Sequence, residues 1–346
     1  MKKTKILVLT WGPYSHASSR IRAWQYLPLF ERAGGYAFTV ISRVPERFHW
    51  YSPILFPLLK RVFLLFRCFA ILFLQYDLVY IQRWFLSSFL IKILNVKRTP
   101  YIFDFDDAIF LNTPQQPYNS YQTDRMILHA ARVIVSSPVL AEYCQNLGVT
   151  SQIITTPVDS DHIVQKSYNQ LDKPFTVGWI GSVYTTPFLE IAIPALQKIS
   201  QTIKLRILLI GADRKHIFSG LPVEYMEWSI ETENQKLQQM DVGIMPLPDT
   251  PWARGKGGYK LYLYMAAGIP VIASPVGINR DIVIHGDSGF LASTQEDWEK
   301  YLLLLTQDRS LVETMGQAGR KLVLERYDRR ICFELLRRCF NSCLNK

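Results

Sequence analysis

The sequence predicts an α/β protein with two Rossmann-like domains. Two observations support this prediction: short apolar runs recur along the chain, and segments of helix length separate them. Strands that alternate with helices form parallel sheets through right-handed crossovers. A chain of 346 residues is also long enough to fill two such cores.

The apolar runs have the length and composition of buried parallel strands. In the first half of the chain they span residues 6–11, 38–42, 78–82, 101–106, 133–136 and 152–155. In the second half they span residues 175–180, 205–210, 225–228, 242–246 and 271–273. These runs are too numerous for one sheet of ordinary size. We therefore predict two sheets that face each other across a cleft, where ligands bind at the carboxyl ends of the strands.

A polar stretch at residues 159–174 has no strong hydrophobic period and separates the two sets of runs. We therefore place a first domain at residues 1–160 and a second domain at residues 161–330. A C-terminal helix is expected to begin at residues 325–328 and to include residues 331–346.

Charge and cysteine content limit the partners and the compartment. A formal net charge of +10 favours anionic partners such as nucleotide phosphates or an acidic membrane surface. The sequence has no nucleic-acid-binding motif, so we expect no nucleic-acid partner. The apolar run at residues 6–10 is too short for the core of a signal peptide. The cysteines have no metal-ligand spacing and indicate a reducing, cytoplasmic environment: Cys68, Cys144, Cys332, Cys339 and Cys343.

Residues 54–74 form an unusually apolar segment that is interrupted by Lys60, Arg61 and Arg67. A membrane-spanning helix requires about 20 apolar residues with few charges, so we do not predict a span. Two interpretations stay open. The segment is either a buried helix, or part of a basic, apolar face across residues 54–98 that rests on the anionic inner face of the plasma membrane.

A glycine-rich loop at residues 252–260 carries Arg254, Lys256 and Lys260. Glycines allow backbone N–H groups to approach an anion, and the following helix presents its positive N-terminus. That helix is expected to end near Gly268, because Pro270 prevents its continuation. Fixed cations stabilise the negative charge that a diphosphate gains as it leaves a sugar, and they do so without a metal. The alternative is a solvated basic turn.

Four motifs resemble glycosyltransferases of family 4, which have the two-domain GT-B architecture. The sequence YMAAGIPVIASPVG at residues 264–277 is close to the family's pattern, and HGDSGFL at residues 285–291 is similar to its next loop and strand. In the first half, ASSRIR at residues 17–22 and DFDDA at residues 104–108 resemble a subgroup of these enzymes. The resemblance implies transfer of a sugar from a nucleotide donor, with retention of anomeric configuration and without a metal or other cofactor.

The resemblance also implies roles for the domains and for individual residues. Residues 1–160 would bind the acceptor, residues 161–330 would bind the nucleotide sugar, and the C-terminal helix would cross back to the first domain. The implied donor-phosphate ligands are Gly181, Ser182, Arg254, Lys256 and Lys260. Lys256 is in addition a catalytic candidate. The implied nucleotide or sugar contacts are Gly277, Ile278 and Asn279.

Two features depart from the family pattern. The family commonly has two glutamates where this chain has Gly255 and Leu263. The second glutamate usually binds the ribose, so ribose recognition has no assigned residue. Val183 and Tyr184 occupy the place of the usual Arg and Lys after the first strand of the second domain. Either the cations of the glycine-rich loop replace them, or the donor differs.

Asp104, Asp106 and Asp107 end a predicted strand of the first domain. Three interpretations apply: an Asp-x-Asp metal site, a catalytic or acceptor-binding carboxylate, or a cap at the end of the strand. Two Rossmann-like halves fit the metal-dependent architecture poorly, so we favour the acceptor side, with Asp106 as a catalytic candidate and no metal. Ser19 and Arg20 are further acceptor-side candidates, although simple capping of a helix also explains a serine there.

These observations predict a glycosyltransferase of polysaccharide biosynthesis. It would move a hexose from a nucleoside diphosphate sugar, its co-substrate, to a glycan or lipid-linked acceptor in the cytoplasm or on the inner membrane face. One alternative is a nucleotide-sugar epimerase of the same architecture. The other is an inactive paralogue that binds nucleotides or docks on membranes.

Overall fold

The structure, a computed structural model, describes residues 3–43, 73–113, 116–117, 120–168, 173–216 and 218–345. The chain divides into two compact units, Met1–Pro157 with Arg329–Lys346, and Val158–Asp328. Most of the segment predicted to be a buried helix or a membrane face, residues 54–72, lies outside the described residues. No helix within the described ranges is long and apolar enough to cross a membrane.

The first unit is built on a parallel sheet. Its strands are β1 (Thr4–Thr10), β2 (Tyr36–Ser42), β3 (Leu78–Gln82) and β4 (Tyr101–Phe105), the short β5 (Asn112–Thr113) and β6 (Gln116–Pro117), and β7 (Arg132–Val135) and β8 (Ser151–Ile153). Six of them form the sheet in the order β2-β1-β3-β4-β7-β8, and β5 pairs antiparallel with β6. The central strands β3 and β4 are buried along their full length because helices cover both faces.

The helices of the first unit connect these strands in the way that parallel pairing requires. They are α1 (Ala17–Arg22), α2 (Leu27–Ala33), α3 (Ser88–Val96), α4 (Ser120–His129) and α5 (Pro138–Asn146). Helix α1 follows β1 directly, so its first residues lie at the carboxyl edge of the sheet. The side chain of His16 caps α1, and that of Ser87 caps α3.

The second unit repeats the architecture with a sheet of its own. Its strands are β9 (Phe175–Ile180), β10 (Leu205–Ile210), β11 (Val223–Met226), β12 (Val242–Met245), β13 (Val271–Ala273) and β14 (Gly289–Leu291). All neighbouring strands are parallel, in the order β11-β10-β9-β12-β13-β14. The central position of β9 places the loop that follows it in the middle of the carboxyl edge.

The helices of the second unit are α6 (Ile193–Ser200), α7 (Ile230–Leu237), α8 (Pro251–Arg254), α9 (Tyr259–Ala266), α10 (Asn279–Ile282), α11 (Gln295–Gln307) and α12 (Arg309–Arg326). Helix α9 is the most deeply buried: all its residues from Leu261 onward are core residues. It ends as the sequence predicts, because Gly268 has φ +75°, which the left-handed end of a helix favours. The first turn of α9 therefore lies at the edge of the sheet, and packing in the core fixes the rest of the helix.

The last helix, α13 (Arg329–Leu344), belongs to the first unit. Its apolar stripe packs Phe333 and Phe340 against Phe30, with ring centroids 4.8 and 4.9 Å apart. Tyr36 also donates a hydrogen bond of 2.7 Å to the side-chain oxygen of Asn341. Three cysteines on this stripe, Cys332, Cys339 and Cys343, are buried in the same core.

The predicted fold class, an α/β protein with two Rossmann-like parallel sheets, is confirmed. One boundary prediction was wrong. Glu325 and Arg326 do not begin the C-terminal helix but end α12, and the new helix starts at Arg329. The helix breaks because the backbone at Tyr327 and Asp328 pairs with Val158, the first residue of the second unit. The N–H of Val158 donates to the carbonyl of Tyr327 at 3.1 Å.

Candidate functional site

Two glycines of the second unit follow neighbouring strands at the carboxyl edge of the sheet. Gly181 follows β9, and Gly211 follows β10. Gly211 has φ +73°, and a Cβ on it would lie 2.5 Å from the carbonyl oxygen of Gly181. A Cβ on Gly181 would lie 2.7 Å from the Nζ of Lys260. Glycine is therefore required for this close approach of the two turns and the lysine.

Hydroxyl groups fix the turn that begins at Gly181. The carbonyl of Ser182 accepts hydrogen bonds from the side chains of Thr185 and Thr186, both at 3.2 Å. The Thr186 hydroxyl also accepts from the N–H of Asp213 at 2.9 Å. Val183 and Tyr184 are 49% and 63% exposed and carry no charge. The turn therefore contributes backbone and hydroxyl groups to the site but no positive charge.

Lys260 supplies that charge from the first turn of α9. Its ammonium lies 4.1 Å from the centroid of the Trp179 ring and 3.4 Å from the hydroxyl of Thr185. Burial lowers the pKa of Lys260 well below its ordinary value of 10.5, and the charge of Lys256 lowers it further. Among the residues that the structure describes, no carboxylate forms an ion pair with this lysine. The arrangement is a partly buried cation beside a glycine turn.

The other two cations of the glycine-rich loop have different surroundings. Lys256 places its ammonium 3.6 Å from the centroid of the Trp252 ring, a favourable cation–π contact. Arg254 instead binds Asp249 through two hydrogen bonds of 2.5 and 2.9 Å, and its side chain is 53% exposed. The structure thus brings Lys256 and Lys260 together at the turn and ties Arg254 to a carboxylate at the surface.

The predicted nucleotide or sugar contacts after β13 lie against the same loop. Gly277 has φ +54°, and a Cβ on it would lie 2.3 Å from the carbonyl oxygen of Arg254. Ile278 and Asn279 are buried, and the Asn279 amide donates to the carbonyl of Ser274 at 3.0 Å. The Asn279 side-chain oxygen is buried without a hydrogen-bond partner. These residues therefore pack against the glycine-rich loop. The side-chain oxygen of Asn279 can still accept a hydrogen bond.

A second polar cluster lies in the first unit, at the carboxyl ends of β1, β3 and β4. The Ser18 hydroxyl lies 2.9 and 2.8 Å from the two carboxylate oxygens of Asp106. The Gln82 amide donates to Ser18 at 2.9 Å. Arg83 binds Asp107 at 2.9 Å and Asp106 at 3.4 Å. Arg83 has φ +51°, unusual for a residue with a side chain, which marks a strained turn at this edge.

His16 borders this cluster and caps α1. Burial lowers the pKa of His16, and the positive charge of Arg83 lowers it further against the opposing effect of Asp106. A Cβ on Gly12 would lie 2.5 Å from the Cβ of His16, so glycine is needed where the loop after β1 passes the histidine. The lowered pKa favours the neutral imidazole at this position.

Asp104 does not share this edge with Asp106. It is 1% exposed, and its two oxygens accept hydrogen bonds from Arg22 at 2.9 and 2.8 Å and from Tyr80 at 2.8 Å. Arg22 also donates to the carbonyl of Ile154 at 2.6 Å. This buried pair joins α1 to β4 and to the end of β8, so the structure places Asp104 inside the unit rather than at its open edge.

Ser19 is similarly internal. It is fully buried, donates to the side-chain oxygen of Gln82 at 2.9 Å and accepts from the N–H of Gly12 at 2.9 Å. Arg20, the neighbouring acceptor-side candidate, is 8% exposed. Within the part of the chain that the structure describes, no group of three or more His, Cys, Asp or Glu side chains is arranged to hold a metal ion.

Sequence reasoning missed several residues of these sites. Gln82 and Arg83 complete the cluster around Asp106, and Thr185 and Trp179 complete the one around Lys260. A usable signal existed for Gln82 and Arg83, because Gln82 ends a predicted strand and Arg83 follows it, at the same sheet edge as Asp106. No comparable signal existed for Arg22, whose partner Asp104 is 82 residues away in sequence.

Comparisons with known proteins match the second unit to a family. Residues 174–308 match the family model described as "Glycosyl transferases group 1". This match supports a glycosyltransferase. The chain is also 23% identical over 209 residues to the capsular polysaccharide biosynthesis glycosyltransferase CapM of Staphylococcus aureus. That alignment covers 55% of this chain and 52% of CapM, so the chain spans about half the length of this curated relative.

Solved structures are similar over nearly the whole chain. Sucrose-phosphate synthase from Thermosynechococcus elongatus has a TM-score of 0.75 at 16% identity, covering 98% of this chain and 99% of that one. HepE of Anabaena, in complex with UDP and glucose, has a TM-score of 0.65 at 16% identity, covering 98% of this chain and 100% of that one. These likenesses show the GT-B fold, and the family match supports a glycosyltransferase. They give no support to the epimerase alternative.

Proposed function

We propose that this chain is a glycosyltransferase that moves a sugar from a nucleoside diphosphate sugar to a glycan or lipid-linked acceptor. The observation that carries the proposal is the environment of Lys260. A partly buried ammonium without a carboxylate partner in the described residues is unfavourable until an anion joins it. A diphosphate seated on the turns at Gly181 and Gly211 provides that anion.

In this proposal the second unit binds the donor and stabilises its leaving group. Lys260 and Lys256 face the diphosphate, and the hydroxyl of Thr185 positions Lys260 by accepting a hydrogen bond of 3.4 Å from its ammonium. As the bond to the sugar breaks, negative charge accumulates on the diphosphate, and the fixed cations become more favourable in the transition state than in the ground state. Arg254 contributes only if it exchanges Asp249 for the donor.

The first unit is proposed to bind the acceptor at Asp106. The carboxylate already accepts a hydrogen bond from the Ser18 hydroxyl, so it is oriented to accept one from an acceptor hydroxyl as well. Arg83 and Arg20 provide positive charge at this edge for an acceptor that carries phosphate. We assign Asp104 and Ser19 a positioning role, because their polar groups already bind Arg22, Tyr80, Gln82 and Gly12.

Retention of configuration, independence of a metal, a cytoplasmic location and contact of residues 54–98 with an anionic membrane remain parts of the proposal. The support for retention and for metal independence is the family resemblance of residues 264–277. The support for a nucleotide donor includes the neighbour HepE, which was solved with UDP and with UDP-glucose. The support for a glycan acceptor includes the neighbour TarM, which was solved with Fondaparinux and α-GlcNAc-glycerol.

Product analysis tests the proposal. The protein is incubated with a panel of UDP- and GDP-sugars in EDTA, with and without oligosaccharide and polyprenyl-phosphate-linked acceptors, and products are separated by mass spectrometry. We expect a glycosylated acceptor with one donor, and loss of that product with Lys260→Ala. An altered free sugar nucleotide would instead identify an epimerase. Consumption of no donor under any condition would contradict the proposal.

A further inference from the structure

The loop after β11 brings an indole and a carboxylate to the donor edge of the second unit. Gly211 lies between the two: a Cβ on it would be 2.5 Å from the carbonyl oxygen of Gly181 on one side and 3.3 Å from the Cβ of Trp228 on the other. Gly211 also donates its N–H to the carbonyl of Met226 at 2.8 Å. Trp228 is therefore next to the glycine turns that are proposed to hold the diphosphate.

Trp228 in turn orients a carboxylate. Its indole N–H donates to Oε2 of Glu233 at 2.5 Å. Glu233 lies in the first turn of α7, which begins after Ser229, and the Ser229 side chain caps the N–H of Thr232. An ionised carboxylate accepts about four hydrogen bonds. The bond from Trp228 occupies one of these positions and fixes the orientation of the carboxylate.

An electrostatic effect on Tyr264 indicates that Glu233 lies near the end of β9. The Tyr264 hydroxyl accepts a hydrogen bond from the N–H of Ile180, the residue before Gly181, at 2.8 Å. Burial raises the pKa of Tyr264, and the negative charge of Glu233 raises this pKa further. The carboxylate thus lies within electrostatic reach of the residue that precedes the diphosphate turn. Leu263, the neighbour of Tyr264 on α9, is 1% exposed and apolar, so it cannot bind a hydroxyl.

From these contacts we propose that Glu233, oriented by Trp228, accepts hydrogen bonds from the ribose hydroxyls of the donor nucleotide. This inference rests on the proposed function. A ribose joins the base to the diphosphate, so its cis hydroxyl pair lies next to the phosphates. In Rossmann-like folds, a carboxylate at the carboxyl edge of the sheet commonly accepts from these hydroxyls. The residue that recognises the ribose would then come from the helix after β11 rather than from α9.

Calorimetry with paired nucleotides tests this assignment. UDP, GDP and ADP and their 2′,3′-dideoxy counterparts are titrated into wild type, Glu233→Gln and Glu233→Ala. A hydrogen bond to a charged group corresponds to a change in affinity of about tenfold to a hundredfold. We expect removal of the hydroxyls to weaken binding to wild type by this factor. The Glu233 variants should weaken binding of the ribonucleotide similarly and leave the dideoxynucleotide unaffected.

Glu231→Gln is the matched control, because Glu231 is exposed in the same helix turn. It should bind every nucleotide as wild type does. Equal losses for ribo- and dideoxynucleotides in the Glu233 variants, or no loss at all, would overturn the inference. Pyrophosphate separates this result from the proposed function: its binding should depend on Lys260 and not on Glu233. If pyrophosphate binds and the hydroxyl effect is absent, only the ribose assignment fails; if neither pyrophosphate nor nucleotide binds, the donor site itself fails.

Discussion

The ammonium of Lys260 lies 4.1 Å from the centroid of the Trp179 ring, at the point where β9 ends and the glycine turn begins. The ring stabilises the cation weakly, by about 0.5–2 kcal/mol in general. Water would stabilise a fully hydrated ammonium more than the ring does, so the pKa of the buried lysine falls. The ligand-free protein thus holds an unfavourable charge where we propose that the donor diphosphate binds.

This charge should lower the stability of the ligand-free protein. Because the pKa of Lys260 is lower in the folded state than its ordinary 10.5, the unfolded chain binds the proton more tightly. The cost is complete below the lowered pKa and fades as the pH rises towards 10.5. We therefore expect Lys260→Met to raise the thermal midpoint, most strongly at neutral pH and below. Scanning fluorimetry from pH 6 to pH 9.5 measures the difference in thermal midpoint between this variant and wild type.

Lys321→Met is the control for that prediction, since Lys321 is an exposed lysine of α12. Its thermal midpoint should follow wild type at every pH. A Lys260→Met protein that is less stable than wild type across the whole range would contradict an unfavourable charge at this position.

Nucleotide binding should be accompanied by uptake of a proton. A bound diphosphate favours the charged lysine and raises its lowered pKa, so affinity should fall as the pH rises through the pKa of the free protein. The second ionisation of a terminal phosphate, near pH 6, is complete above about pH 7.5. Titrations between pH 7.5 and 9.5, in buffers of different ionisation enthalpy, measure the uptake. Lys260→Met should abolish it, and an undiminished uptake in this variant would assign the proton to another group.

The buried pair between Arg22 and Asp104 should be important for the stability of the first unit. Removal of one partner leaves an uncompensated buried charge, which in general costs about 3–5 kcal/mol. Asp104→Ala should therefore shift the urea midpoint of the first unit strongly downward, as followed by circular dichroism. Glu142→Gln, at an exposed position of α5, should leave the midpoint unchanged. Equal midpoints for Asp104→Ala and wild type would show that Arg22 finds another partner at little cost.

Asp106 should affect turnover and not donor binding. General acid–base groups contribute about a hundredfold to ten-thousandfold to rates, so Asp106→Asn should lower kcat by at least about a hundredfold. Nucleotide affinity should not change, because the donor is proposed to bind the second unit. Asp107→Asn is the comparison, since Asp107 binds Arg83 but has no bond to Ser18. If Asp107→Asn proves the more damaging of the two, the carboxylate roles are assigned in the wrong order.

The sequence was sufficient for the fold because strand and helix periods are local. The runs at residues 78–82, 175–180 and 205–210 coincide with β3, β9 and β10. The error at Glu325 has a non-local cause: the helical period of α12 continues up to Arg326, and the break depends on the pairing of Asp328 with Val158, far away in sequence. A contact between residues so far apart cannot be predicted from the pattern of neighbouring residues.

The candidate site was predictable in composition but not in detail. Arg254, Lys256 and Lys260 look equivalent in the sequence, and the structure separates them by their partners: Asp249, the Trp252 ring and the glycine turn. In the same way, Asp104 and Asp106 are only two residues apart and point to different environments. Asp104 lies within β4 and binds Arg22, whereas Asp106 lies beyond the end of the strand and binds Ser18.

The most direct test of the donor site is calorimetric titration of UDP, GDP and ADP, with and without magnesium, into wild type, Lys260→Ala and Lys321→Ala. We expect that one nucleotide binds without magnesium, that Lys260→Ala weakens this binding at least about tenfold, and that Lys321→Ala does not change it. Binding that Lys260→Ala leaves intact, or no binding of any nucleotide to wild type, would contradict the proposed donor site.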